Sequence, residues 1–304
     1  MFEKAKDVMS RLDEEKVKWG TQEFTNEMFQ FYRRQSDLLK ELYEYQFEAL
    51  KTNPNERVDS LYLLLFSMHD TAEAVGILAA NQKINEAHMM ARALLERIIN
   101  YIFLLYCDEE DYRKYLFYAK QKSYRNLKKN IKVGKLIAEL KWTGRLNSDS
   151  DPELQKAIDM FTSKKGKTIT RWRSKSLPEM LDIVSQKTDI NIKPLMLGLL
   201  AIYDDASEAL HGTLYGTIFQ IGLFTGANVK KKNEIVSSVH GQLSLLFFAL
   251  GTCIESLTIA VNKIFPIVAI RAKSEENYKA LDVLDQKASS KKGKWSVVLD
   301  TGQD

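Results

Sequence analysis

Apolar and polar positions follow a helical period through most of the chain. From Thr25 to Leu50, apolar and aromatic residues mostly recur at steps of three and four, which predicts an amphipathic helix. The segment Thr52–Glu56 contains Pro54, which removes a backbone donor and disfavours helix at the residue before it. We therefore expect the first long helix to end there.

Two longer apolar regions predict two pairs of core helices. The stretches Val58–Gln82 and Ala87–Cys107 are similar in length and are joined by the short polar segment Lys83–Glu86. This arrangement predicts an antiparallel helical hairpin, because a short connection brings consecutive helices side by side. A second hairpin is expected at about 193–268, divided by the basic turn Thr225–Glu234.

The region between the hairpins, at about 110–190, is basic and rich in aromatic residues. Tyr112–Ser148 holds eleven Lys and Arg against one acidic residue, and Ser163–Lys175 carries six more with no acid. Ser176, with Glu179 three positions later, predicts the start of a short helix. We interpret the region as a basic helical insertion.

These patterns predict an all-α fold, a multi-helix bundle built from two apolar helical hairpins with a basic helical insertion. The chain contains only 14 Gly and 5 Pro, which favours long helices over a turn-rich β architecture. No internal repeat and no interdomain linker is evident. We expect one helical domain over residues 1–287 and a flexible C-terminal tail over 288–304.

Composition favours a cytoplasmic location. Cys107 and Cys253 each lie within an apolar run, which is typical of buried thiols in a reducing compartment. The charged N-terminus lacks the apolar core of a secretory signal. The segment Gly241–Val261 is long enough to span a membrane, but Glu255 and several hydroxyl residues interrupt it. We therefore interpret it as a core helix and expect no stable membrane insertion.

The common catalytic and ligand-binding motifs are absent from the sequence. It has no phosphate-binding glycine loop, no His-Glu-x-x-His zinc motif, no cysteine pair at metal spacing and no nucleophile elbow. No two of the four histidines lie three or four positions apart. The sequence therefore predicts neither a metal site nor a cofactor.

Two polar groups nevertheless interrupt apolar helices. Arg92 and Glu96 lie one helical turn apart and can form an ion pair, either on an exposed stripe or in a buried polar contact with the second hairpin. Tyr203, Ser207 and His211 fall at steps of four, and Tyr215 would continue the same stripe of a single helix.

His211 is the candidate general base of this second group. A histidine titrates near neutral pH, and Glu208, three residues before it, can orient the ring. Three interpretations remain open: a catalytic or ligand site, a satisfied polar contact between packed helices, and a solvated face. The candidate catalytic residues are Tyr203, Ser207, Glu208 and His211 together with Arg92 and Glu96.

The basic insertion has two interpretations of its own. Lys and Arg interleaved with aromatic rings can neutralise phosphates and stack bases, which is typical of a nucleic-acid surface. Alternatively, the charges form a solvated face or are covered by acidic segments elsewhere in the chain. The candidate nucleic-acid-binding residues are Arg125, Lys128, Lys129, Arg171, Trp172 and Arg173.

Two motifs resemble a known group of bacterial proteins. The helix ARALLERIINYIFLLY is followed about a hundred residues later by Tyr-x-x-x-Ser-Glu-x-x-His-Gly, and over about residues 60–260 the chain resembles a bacterial family of unknown function placed near the HEPN superfamily. The resemblance implies a compact helical bundle, a homodimer, and a role in toxin–antitoxin, antiphage or RNA-processing systems.

The resemblance also implies a reaction. Active HEPN-like proteins are metal-independent ribonucleases with an Arg four to six residues before a His, and no histidine of this chain has an Arg at that spacing. Here His211 would activate the ribose 2′-hydroxyl, Arg92 would stabilise the phosphorane, and Glu208 or Glu96 would orient the pair. The expected function is an RNA-directed effector in bacterial defence; the alternative is a non-catalytic scaffold or sensor that dimerises and binds a nucleotide or a partner protein from the same operon.

Overall fold

The computed structural model describes residues 19–52, 54–142, 151–219, 232–266, 270 and 272–277. The expectations for the charged N-terminus, for the turn at Thr225–Glu234 and for the tail at 288–304 fall wholly or mostly outside these residues.

The described chain is helical except for one β-hairpin. The elements are α1 (Gln22–Thr52), α2 (Glu56–Ala80), α3 (Ile84–Tyr106), α4 (Glu109–Asn126), β1 (Lys128–Val133), β2 (Leu136–Lys141), α5 (Pro152–Met160), α6 (Leu177–Lys187), α7 (Lys193–Gly198), a π-helical turn (Leu199–Tyr203), α8 (Asp204–Leu210), α9 (Leu214–Phe219) and α10 (Lys232–Ile264). The predicted all-α multi-helix class is confirmed. The break at Pro54 also lies where it was predicted.

The chain divides into two compact units. The first unit contains the residues up to Ile102 and those from Asp189 onward, and the second contains Phe103–Thr188. The second unit therefore corresponds closely to the expected basic insertion at about 110–190.

The core of the first unit is the packing of α1 against α10. Phe31 is fully buried, and a Cβ built on Gly251 would lie 2.3 Å from its ring, so the ring packs directly on the α10 backbone. The Tyr32 hydroxyl donates a hydrogen bond of 2.6 Å to the Ala72 carbonyl oxygen and so joins α1 to α2. Arg97 on α3 donates to Ser67 and Thr71 of α2, which connects the two helices of the first predicted hairpin.

The second unit begins and ends with well-capped helices. The side chain of Asp108 caps α4 and that of Asp151 caps α5. Ser176 and Glu179 form the predicted capping box at the start of α6. Because each cap satisfies backbone N–H groups at a helix start, these residues fix where each helix begins.

The hairpin β1–β2 replaces part of the helix predicted for the insertion. The strands are antiparallel, with Lys128 opposite Lys141 and Val133 opposite Leu136, and Gly134 adopts a left-handed φ of 60° in the turn. Glycine reaches this conformation without strain, and β-branched residues on both strands favour the extended backbone. The insertion is therefore not helical throughout. At residues 128–141 a tight turn and a period of two form a hairpin instead of the predicted helix.

Two helices are long and apolar enough to cross a membrane by length and composition. One is Glu56–Ala80, whose most apolar window is 33% buried, and the other is Ile235–Ile264 within α10, whose window is 83% buried. The burial of α10 fits the core helix that was expected for Gly241–Val261.

Glu255 is a carboxyl group buried on α10. Its residue is 6% exposed, and it forms no hydrogen bond or ion pair with any residue in the described part of the chain. Burial raises the pKa of Glu255 from its ordinary 4.5 to about 8, because removal from water disfavours the charged form. The folded protein therefore holds more protons than the unfolded chain between these two values.

We predict that the protein loses stability as pH rises from about 5 to about 8. The pKa of Glu255 in the folded state lies above that in the unfolded state, so the protonated carboxyl favours the fold. Each unit of difference between the two pKa values is worth about 1.4 kcal/mol, and this stability is lost as the folded carboxyl ionises. Glu255→Gln should flatten this slope in urea unfolding measured at several pH values. Asp37→Asn, an exposed carboxylate on α1, is the control and should leave the slope unchanged; an equal slope in Glu255→Gln would contradict the prediction.

Candidate functional site

The Arg92 cluster, composed of Arg92, Glu96 and Tyr203, joins α3 to the π-helical turn. Arg92 Nε donates to Glu96 Oε1 at 3.1 Å, and Arg92 Nη2 donates to the Tyr203 hydroxyl at 3.0 Å. The guanidinium carbon also lies 4.1 Å from the centre of the Tyr203 ring, a cation–π contact. The structure therefore brings together three of the six candidate catalytic residues.

The Arg92 cluster is a half-buried contact between helices. The side chains of Arg92 and Glu96 are 19% and 29% exposed. Arg92 Nη1 is buried and has no hydrogen-bond partner among the described residues. For Arg92 and Glu96 the sequence left open an exposed stripe or a polar contact with the second hairpin, and the bond from Arg92 to Tyr203 is such a contact.

A close approach before Tyr203 sets the position of the π-helical turn. A Cβ built on Gly198 would lie 2.7 Å from Cys253 Sγ and 2.9 Å from a Leu95 methyl carbon. Only glycine at this position lets α7 lie against both α3 and α10 without moving them. The π-helical turn that follows brings Tyr203 to Arg92.

The predicted stripe from Tyr203 to Tyr215 is interrupted at His211. Helix α8 ends at Leu210, His211 is its C-cap, and Gly212 adopts a left-handed φ of 63°. Such a glycine terminates a helix, so α9 starts in a new direction and Tyr215 does not continue the stripe. The single helix predicted across this segment is therefore wrong. The signal that was missed is Gly212 itself.

The carboxylates of this segment pair locally. Glu208 Oε2 accepts a hydrogen bond of 2.7 Å from Thr213 Oγ1, and the Tyr215 hydroxyl donates to Asp205 Oδ1 at 2.9 Å. Burial, and then the bond to Asp205, raises the pKa of Tyr215 to about 12. Burial also raises the pKa of Asp205. These bonds hold α8 and α9 together.

The structure does not bring the two predicted groups into one site. Among the described residues, Arg92 forms no hydrogen bond or ion pair with Glu208 or His211. The His211 residue is exposed, and its ring forms no hydrogen bond there. Ser207 contributes its carbonyl oxygen, which accepts from the His211 backbone N–H at 3.0 Å. Among the described residues the arrangement thus lacks the contact that would pair a base with an electrophilic group.

His88 and His69 lie in surroundings that differ from those of His211. His88 is 2% exposed, its Nδ1 lies 3.0 Å from the Ile84 carbonyl oxygen, and burial lowers its pKa to about 4, so it is neutral. His69, Asp70 and Glu73 are the one group of described residues whose ligand atoms could hold a metal ion, all within 4.8 Å of one another. All three come from one turn of α2, and both carboxylates are exposed.

The predicted nucleic-acid-binding residues lie in the second unit in different surroundings. Lys128 and Lys129 are exposed on β1, and Lys128 pairs with Glu139 at 3.2 Å. Arg125 Nη2 donates to Thr162 Oγ1 at 2.8 Å and to the Ile158 carbonyl oxygen at 3.3 Å. Arg125 therefore joins α4 to the end of α5 while it also lines a pocket with both lysines.

The Arg171–Trp172–Arg173 fragment is partly occupied by packing. The Trp172 ring lies edge-on to Tyr115 at 5.4 Å between centroids and 6.4 Å from Phe103. Arg173 donates toward Met180 Sδ at 3.5 Å, whereas Arg171 is exposed. Base stacking on Trp172 stays a prediction, and the structure gives this ring a packing role as well.

We predict that Arg92→Ala destabilises the first unit more than Tyr203→Phe does. Tyr203→Phe removes one hydrogen bond and should cost about 1 kcal/mol, whereas Arg92→Ala removes that bond together with the ion pair to half-buried Glu96 and should cost about 2–3 kcal/mol. Urea unfolding measures both. Arg34→Ala, an exposed arginine on α1, is the control and should change stability by less than about 0.5 kcal/mol. If Arg92→Ala left the free energy of unfolding unchanged, the structural role of Arg92 would be refuted.

Comparison with known proteins places the chain in a family. The model of a family of unknown function, DUF5677, matches residues 59–223, which is more than half of the chain. The matched region contains the Arg92 cluster and the whole second unit. No curated protein and no solved structure gives a significant match. The chain therefore belongs to this family of unknown function, DUF5677.

Proposed function

We propose that the protein is an RNA-directed helical effector that holds RNA on its second unit. The observation that carries the proposal is a separation of charge along the chain. Residues 103–188 contain 19 Lys and Arg against 11 Asp and Glu, while the rest of the chain contains 25 against 29. The second unit is thus strongly basic although the whole chain carries only +4, and a basic unit attracts the phosphates of a nucleic acid.

Several of these cations are free to meet a phosphate. The exposed residues that form no ion pair with any residue the structure describes include Lys132, Lys135, Lys164, Lys165, Lys167 and Arg171. Since a paired cation must first leave its carboxylate, unpaired ones give a polyanion more binding energy. Three of these lysines fall within one stretch of four residues, 164–167, in the loop that follows α5.

The hairpin adds a cationic face. The antiparallel register places Lys128, Lys132 and Lys141 on one face and Ile131 with Leu140 on the other. Glu139 lies on the same face as the lysines and pairs with Lys128 and Lys141, so among the described residues Lys132 is the unpaired cation of this face. All residues of both strands are exposed. A two-stranded ribbon with a basic face is a geometry that nucleic-acid-binding proteins use.

The catalytic form of the proposal rests on His211. Its ring is exposed and free of hydrogen bonds to described residues, so it is available to take a proton from a ribose hydroxyl. The bonds of Arg92 to Glu96 and Tyr203 favour binding over cleavage, because the electrophilic partner is already occupied. The HEPN relationship, the defence role and the homodimer belong to the proposal through the resemblance of the two motifs. The cytoplasmic location belongs to it through the two cysteines in apolar runs. The non-catalytic scaffold or sensor is its alternative.

We predict that Lys164→Gln/Lys165→Gln/Lys167→Gln weakens binding of single-stranded RNA and lowers its salt dependence. Each lost phosphate contact should reduce the slope of log K against log salt by about 0.7, so three contacts give about 2. Fluorescence anisotropy of a labelled oligonucleotide at several salt concentrations measures this. The matched control is Lys40→Gln/Lys83→Gln/Lys193→Gln, three exposed lysines of the first unit. Equal slopes in the two variants would refute the proposed surface.

Ribonuclease activity has a separate test. In the catalytic form, wild-type protein cuts RNA in the presence of EDTA, and His211→Ala lowers the rate about 100-fold or more, since general base catalysis supplies at least this factor. The same variant should keep its melting temperature, because the His211 ring has no described hydrogen bond to lose. Cleavage that persists unchanged in His211→Ala would reject the assignment, and RNA binding without cleavage by wild-type protein would support the non-catalytic alternative.

A further inference from the structure

The second unit contains a pocket of about 380 Å³ between the end of α4, the start of β1 and the loop before α6. Ten residues line it: Gln121, Lys122, Arg125, Asn126, Lys128, Lys129, Asn130, Thr168, Ile169 and Thr170. Four are cations and none is acidic. A concave surface with this lining favours an anion with several acceptor oxygens.

Two polar groups in the pocket wall lack partners. Gln121 is 1% exposed, and neither its side-chain oxygen nor its nitrogen has a hydrogen-bond partner among the described residues. Arg125 lies one helical turn later on the same face, and its Nη1 is also buried without a partner. Buried polar groups are nearly always hydrogen-bonded in folded proteins, so these two groups in one wall are available to hydrogen-bond a ligand.

Two lysines complete the charge. Lys122 and Lys129 are exposed and form no ion pair within the described ranges, whereas Lys128 is held by Glu139. Arg125 remains fixed in position by its bonds to Thr162 and the Ile158 carbonyl oxygen. The pocket therefore combines a fixed guanidinium, a buried amide and two unpaired ammonium groups.

We propose that this pocket binds a phosphate monoester, as carried by the end of an RNA strand or by a free mononucleotide. A monoester carries close to two negative charges and three terminal oxygens, while a phosphodiester within a strand carries one charge. Several cations that converge on one concavity match the monoester, whereas diesters along a strand suit cations spread over a surface. As an RNA-end site, the inference rests on the proposed function, and it gives that function a preference for phosphorylated ends.

The test compares two forms of one short single-stranded RNA, with a 5′-phosphate and with a 5′-hydroxyl. Adenosine 5′-monophosphate and adenosine serve as the free ligands in parallel titrations. Lys122→Gln/Lys129→Gln removes the two unpaired pocket cations from an exposed surface, so the fold should survive. The comparison variant Lys164→Gln/Lys165→Gln removes equal charge from the same unit outside the pocket.

The 5′-phosphate should raise RNA affinity about tenfold, since charged hydrogen bonds contribute at least this factor. Lys122→Gln/Lys129→Gln should abolish the preference for the 5′-phosphate. Lys164→Gln/Lys165→Gln should weaken the binding of both RNAs and leave that preference in place. If the protein binds adenosine 5′-monophosphate but not adenosine, and the pocket variant loses this binding, the result supports the pocket proposal even where no RNA binds. If phosphate gives no advantage to either ligand, the pocket proposal is overturned, and RNA binding that persists would leave the proposed function standing.

Gln121→Leu gives an independent measure. Leucine is of similar size and has no polar atoms, so it removes the cost of burying an amide without hydrogen bonds. The melting temperature should therefore stay the same or rise, while phosphate affinity falls severalfold. A lower melting temperature with unchanged phosphate affinity would show that Gln121 is structural and overturn its assignment to the pocket.

Discussion

The first unit depends on the close approach of α1 and α10. Phe31 lies directly on the α10 backbone because Gly251 has no side chain in its way. The contact brings two helices of about thirty residues together along much of their length, and α2 joins them through the hydrogen bond from Tyr32. A second glycine, Gly198, allows a similar approach of α7. At both positions backbone, rather than side chain, meets the neighbouring helix.

This tight packing explains the position of the polar groups. The close packing also buries polar groups. Gln35 on α1 is fully buried without a hydrogen-bond partner among described residues, and burial holds Glu255 on α10 toward its neutral form. At the periphery of the same unit, the Arg92 cluster has enough exposure to keep its charges. The cost of burial thus separates neutral polar groups in the core from ion pairs near the surface.

Periodicity in the sequence predicted the helices well and the junctions poorly. The long helices were found because a three-to-four repeat extends over many turns, and the helix start at Ser176 was found because its cap is local. The hairpin was missed because its lysines hid a period of two, and Gly212 was missed because one left-handed residue redirects the chain. The pairing of Arg92 with Tyr203 depends on the π-helical turn, which residue spacing does not encode.

The Arg92 cluster and the pocket of the second unit differ in the partners of their cations. In the Arg92 cluster, cation and carboxylate satisfy each other, so the pair stabilises the fold and has little free energy left for a ligand. In the pocket of the second unit, Arg125 is positioned by neutral acceptors, and no carboxylate lines the wall. A cation held by neutral groups keeps its full charge for an incoming anion, whereas an ion pair must break first. This difference in partners, more than the number of charged residues, is the reason that we propose ligand binding in the second unit.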